Sequence, residues 1–68
     1  MEKIKFLSCS DGVLRAHALK VYNRLVVDSQ KRSLIKDEIL LYNTIRRFYL
    51  GVVGLDSVRN AFVCAYGN

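Results

Sequence analysis

A chain of 68 residues with 51% apolar side chains, no proline and four glycines has room for one small helical domain and no more. Its net charge of +5 favours acidic partners, but the densest cationic clusters are only the pairs Lys31-Arg32 and Arg46-Arg47, a weak signal for nucleic acid. Two cysteines and one histidine cannot fill a four-ligand zinc site, and no stretch approaches the ~20 apolar residues of a membrane span.

The opening MEKIKFLSCSDG lacks the long apolar core of a signal peptide. The expectation is a soluble, cytoplasmic protein without metal or cofactor, in which Cys9 and Cys64 are reduced thiols and not a disulfide tying the chain ends. Residues 1–10 form a leader. Within it KIKFL, residues 3–7, alternates lysine and apolar side chains as a short strand does. A single strand has no partner in its own chain, so it either pairs with a second copy or stays extended.

The first helix is expected over about residues 13–28, capped by Ser10 or Asp11. Leu14, Ala18, Leu19, Val21, Tyr22, Leu25 and Val26 share one face of it, with His17, Lys20, Asn23 and Arg24 opposite. Asp28, Ser29 and Gln30 lead to Ser33, a second N-cap, and a second helix over about residues 34–50. Its apolar arc, from Leu34 and Ile35 to Tyr49 and Leu50, covers more than half the circumference and asks for neighbours on at least two sides. Gly51 and Gly54 allow a turn. A third helix, about residues 56–66, is capped by Asp56 or Ser57 and packs Val58, Ala61, Phe62 and Ala65.

The fold class is therefore all-α: an antiparallel helical hairpin plus a short C-terminal helix, residues 1–68 forming one domain. Below roughly 70–80 residues a single core rarely supplies more than about 3–5 kcal/mol. With so much apolar surface left, the sequence predicts a homodimer, against the simpler monomeric bundle.

Arg46 and Arg47 lie about 100° apart on a helix and cannot form one patch. Arg47 falls with Lys36 and Asn43 on the polar side. Arg46 projects between Ile35 and Ile39, inside the apolar arc, and Arg15 projects between Tyr22 and Val26. In a tight hairpin where residue i faces roughly residue 62 minus i, Arg15 and Arg46 lie level at one end, and Glu38 lies level with Arg24 and can pair with it. Arg15, Tyr22, Tyr42, Arg46 and Tyr49 are the candidate protein-binding residues, since arginine and tyrosine combine apolar area with a polar tip. The plainer alternative leaves both arginines along the core edge with their heads in water.

Catalysis finds no constellation. His17 has Val13, Leu14, Lys20 and Val21 as helical neighbours, with no carboxylate to orient it and no nucleophile to activate. A basic leader followed by two helices, with SQKRSLIKDEIL at the second-helix entry, resembles the ribbon-helix-helix repressors. That resemblance implies a dimeric DNA-binding protein whose paired strands point Lys3 and Lys5 at bases and anchor on Ile4 and Phe6. The longer first helix, the shifted apolar spacing of the second and the added third helix depart from that family's pattern. A membrane-surface role lacks interfacial tryptophan. The preferred expectation is a small non-enzymatic regulator of the inhibitor or anti-activator type, in the size class of phage and mobile-element accessory proteins. It would mask a surface of a larger protein that is acidic or mixed apolar.

Overall fold

Ser10 begins the first helix: its hydroxyl accepts the Val13 N–H at 3.3 Å, satisfying one of the donors that a helix start leaves open. A computed structural model of the chain describes residues 5–67. These form a small all-α domain of three helices, α1 (Asp11–Lys31), α2 (Lys36–Tyr49) and α3 (Leu55–Tyr66), with no strand among the described residues.

α1 runs past its expected end. Asp28, Ser29 and Gln30, read as linker, are helical, and the Asp28–Arg32 ion pair at 3.5 Å spans the last turn. α2 starts later than expected, and Ser33 is not its cap. Ile35 takes that position, and the Glu38 carboxylate reaches back to accept the Ile35 N–H at 3.1 Å. Glu38 also accepts from Arg32, at 2.9 Å and 3.3 Å. The expected Glu38–Arg24 pair is thus replaced: the nearer Arg32 takes the carboxylate, and Arg24 donates to the Tyr66 hydroxyl at 2.5 Å.

α2 ends in a Schellman turn. Val52 N–H donates to the Arg47 carbonyl at 2.9 Å and Gly51 N–H to that of Phe48 at 3.0 Å, with Gly51 at φ +78°, a region that favours glycine. α3 then begins on Gly54, not on Asp56 or Ser57, and Asp56 sits in the first turn where its charge suits the helix dipole.

The leader corrects the strand expectation. Lys3 and Ile4 lie outside the described residues. From Lys5 onward the chain turns, with Ser8 and Cys9 N–H both donating to the Lys5 carbonyl, at 3.1 Å and 2.9 Å. Phe6 decides the outcome: its ring stacks on Phe62, centroids 4.9 Å apart, and meets Tyr66 and the edge of His17. Burying an aromatic ring against two others outweighs leaving it on an unpaired strand.

The core consists of Leu14, Ala18 and Leu25 from α1, Leu41, Thr44 and Ile45 from α2, and Val58, Ala61 and Phe62 from α3. Thr44 is tolerated there because its hydroxyl donates to the Leu40 carbonyl at 2.7 Å. α2 and α3 are the closest pair of helices, and α1 covers them less completely. Leu19, expected in the core, is 55% exposed, and Ile35 is 63% exposed. The broad arc of α2 is therefore only partly covered.

Candidate functional site

The five candidate protein-binding residues sit on the flanks of α1 and α2. Tyr22 and Tyr42 stack across the two helices, centroids 5.2 Å apart and planes 11° from parallel. Tyr49 meets Tyr22 edge-on at 6.1 Å and lies against Phe48 at 5.3 Å. The Arg15 guanidinium lies over the Phe48 ring, 5.3 Å from its centroid. Arg46 stands close enough to the Tyr22 hydroxyl to favour its ionised form. The larger effects on Tyr22 are opposite in sign: partial burial, then the hydrogen bond and charge of Tyr42, push its hydroxyl above the usual tyrosine value. Tyr22 thus stays a neutral hydrogen-bonding group at physiological pH.

Helical periodicity explains the convergence. At about 100° per residue, Ile35, Ile39, Tyr42, Arg46 and Tyr49 recur in steps of four and three along one flank of α2. Arg15, Leu19, Tyr22, Val26 and Ser29 recur in the same steps along α1. Such spacing lays a nearly straight seam on a helix. Cross-helix contact at Tyr22–Tyr42 and Arg15–Phe48 joins the two seams into one face. Leu19, Ile35, Ile39 and Tyr49 are exposed on it, and Tyr42 and Val26 are half-buried.

Both arginines are exposed, so Arg46 is not enclosed as its projection suggested. Neither forms an ion pair among the described residues. Three of the acids are engaged by other arginines: Asp28 and Glu38 by Arg32, Asp11 by Arg59. Arg32 and the Ile35 N–H hold the Glu38 carboxyl below its usual value. The face therefore offers aromatic edges, hydroxyls, aliphatic side chains and two guanidinium groups short of an anion.

Three features go beyond the sequence pattern, in which Phe48 and Leu50 are only members of the apolar arc expected of the second helix. Phe48 is the ring under Arg15, at the spacing that an i, i+4 search within one helix cannot find. Leu50 and Val52, 68% and 67% exposed, extend the apolar surface from Tyr49 onto the Schellman turn. Arg47, read as a solvated cation, lines an open groove of about 250 Å³ between α2 and α3 together with Ser57, Asn60 and Cys64. Cys9 and Cys64 are both free thiols.

Of the alternative DNA-contacting residues, Lys5 is exposed at the start of the turn and Lys3 lies outside the described residues. Phe6, assigned to anchor a ribbon, is half-buried against the core of its own chain. No helix among the described residues is long and apolar enough to cross a membrane. No protein-family model, curated protein or solved structure matches the chain.

Proposed function

We propose that this protein is a small non-enzymatic binding module that acts by covering a surface of a larger protein, as an inhibitor or anti-activator does. The observation that carries the reading is the convergence of Tyr22, Tyr42, Tyr49, Arg15 and Arg46 on one α1–α2 face beside the exposed Leu19, Ile35 and Ile39. A row of large apolar side chains interleaved with tyrosine and arginine is the composition of interface cores. On this reading α1 and α2 run as an antiparallel hairpin, in keeping with the Tyr22–Tyr42 and Arg15–Phe48 contacts.

The same face is where a second copy would dock to give the homodimer expected from composition. Self-association, however, brings four arginines to the interface and no free carboxylate, which favours a different protein with an acidic or mixed apolar surface. The ribbon-type DNA reading is disfavoured by Phe6, one of its two anchors, whose half-buried ring packs against the core of its own chain.

The test is a pull-down with tagged full-length protein, with and without nuclease. A stoichiometric protein partner that survives nuclease and disappears with Arg46→Glu supports the masking role. Recovery of DNA, with all proteins lost after nuclease, overturns it.

A further inference from the structure

The two seams say more than that a partner binds. Together they form a two-helix face whose side chains follow a 4-3-4-3 spacing on both sides of a central Tyr22–Tyr42 stack. From Arg15 to Ser29 the α1 seam runs about 21 Å, at 1.5 Å of rise per residue. Along that length the apolar and aromatic positions are Leu19, Tyr22 and Val26 on one helix and Ile35, Ile39, Tyr42 and Tyr49 on the other. The two guanidinium groups occupy one half of the face: Arg15 lies over Phe48, and Arg46, one turn beyond Tyr42, stands near the Tyr22 hydroxyl. Arg15 and Arg46 lie toward the end marked by Phe48 and Tyr49, and the opposite end, at Val26, Ser29, Ile35 and Ile39, bears no charged side chain in the seam.

Knobs from a third helix fit such a seam, because their own repeat matches its spacing. An extended segment adds to a sheet edge, and there is none among the described residues. Stacking of nucleobases works beside a cationic groove that tracks the phosphates, and Tyr22 and Tyr42 spend one face each on the other while only two separated arginines flank them. Among the described residues, a second copy brings no free carboxylate on these two seams to neutralise the arginines. With seams parallel, arginine meets arginine. With seams antiparallel, the arginines meet the end where Asp28 and Glu38 are already bound to Arg32.

We infer that the face takes one amphipathic helix of another protein, about four turns long, with an apolar stripe and carboxylates confined to the end that lies over Arg15 and Arg46. This rests on the protein-binding reading above and adds the form, polarity and charge of the bound segment. The helix lies along the Tyr22–Tyr42 stack, its apolar stripe against Leu19, Val26 and Ile39. Its acidic end replaces water around the two arginines, which fixes the direction in which it binds.

The probe is a capped, fluorescently labelled synthetic helix of about three heptads with leucine at the seam positions and two glutamates near one end; its twin carries lysines there. Binding to the full-length protein is followed by anisotropy. The glutamate probe is expected to bind roughly tenfold or more tighter than the lysine twin. In the Arg15→Glu/Arg46→Glu protein the order reverses. Arg15→Gln/Arg46→Gln, which only removes charge, makes the two probes equal, and circular dichroism confirms that each variant keeps its helices. Equal binding of both probes to the wild-type protein overturns the acidic helix. So does failure of the glutamate probe to bind. In that case sedimentation separates the remaining readings. A dimer abolished by Leu19→Asp keeps this face as an interface but gives it to a second copy, whereas a monomer that binds neither probe removes the protein-binding reading as well.

Discussion

Arg59 and Arg46 are both arginines on helices beside aromatic rings, and their surroundings are opposite. Arg59 on α3 is largely buried. It donates to the carbonyls of Phe6 and Cys9 at 2.8 Å and 2.7 Å, to the Cys9 thiol at 3.5 Å and to the Asp11 carboxylate at 2.8 Å. Arg46 on α2 is exposed and forms no ion pair among the described residues. The side built from the leader, the start of α1 and α3 satisfies its polar groups internally and closes its rings around Phe6 and Phe62. The α1–α2 flank leaves rings, aliphatic side chains and cations facing outward. A buried guanidinium is tolerated only when its donors are used. The first region closes its polar groups and rings on itself, and the second leaves Leu19, Ile35, Ile39, Tyr49 and two guanidinium groups exposed.

The sharpest way to break this contrast is to truncate one aromatic from each side. Phe62 is fully buried at the junction of Phe6, Tyr66 and the α2–α3 core. Phe62→Ala is expected to cost about 3–5 kcal/mol, enough to abolish cooperative folding in a domain of this size. Tyr49→Ala, at a ring 50% exposed, is expected to change stability by about 1 kcal/mol or less while weakening partner binding. Thermal melts by circular dichroism compare the two. Similar losses at both positions would mean that the flank is core and not interface.

Next in size is the latch itself. Arg59→Met keeps the aliphatic stem and removes the donors. It leaves two carbonyls and a carboxylate to find water, at about 1–3 kcal/mol, the scale for hydrogen bonds to a charged group. The loss is expected to be local as well as global. Amides of Ser8 and Cys9, which close the leader turn on the Lys5 carbonyl, should exchange faster while those of α2 at Leu41 and Ile45 keep more of their protection. Uniform acceleration across the chain would show that the leader and the bundle unfold as one unit.

How far the sequence reached follows the same division. Periodicity found the three helices and the face of α3 that buries Val58, Ala61 and Phe62. It missed the starts of α2 and α3 by one or two residues, because it sought side-chain caps at Ser33, Asp56 and Ser57. The chain instead uses Glu38 reaching back to Ile35, and glycine at position 54. It assigned Leu19 to the core because a helical projection counts apolar residues without knowing how many neighbours arrive. Arg15 and Arg46 were legible as cations misplaced in apolar arcs on a helical wheel, and the tyrosines as members of those arcs. Their common face was legible from the hairpin register, although that register set Tyr22 level with Leu40 and its ring partner is Tyr42. Arg59 was invisible, since its acceptors are backbone carbonyls roughly fifty positions away. No pattern of residue types announces a long-range contact to main chain.

The junction between α1 and α2 gives the smallest effect and separates the two kinds of arginine on a third example. Arg32 is exposed like Arg46 but, like Arg59, is paired, holding both Asp28 and Glu38. Because Glu38 titrates below the usual 4.5 in the folded protein, both states are ionised at neutral pH and its contribution is then fully present. As pH falls below about 4.5 the unfolded chain takes up the proton first, and the contribution declines until the folded carboxyl is protonated too. The melting temperature of the wild-type protein should therefore drop between neutral pH and about pH 3, and Glu38→Gln should remove part of that slope while lowering stability only slightly at neutral pH. An unchanged slope in Glu38→Gln would show that the Arg32–Glu38 pair does not set the acid sensitivity. Arg46→Gln, lacking any intramolecular carboxylate, should leave the slope where it was; a change there would reveal an acid partner that the flank supplies to itself.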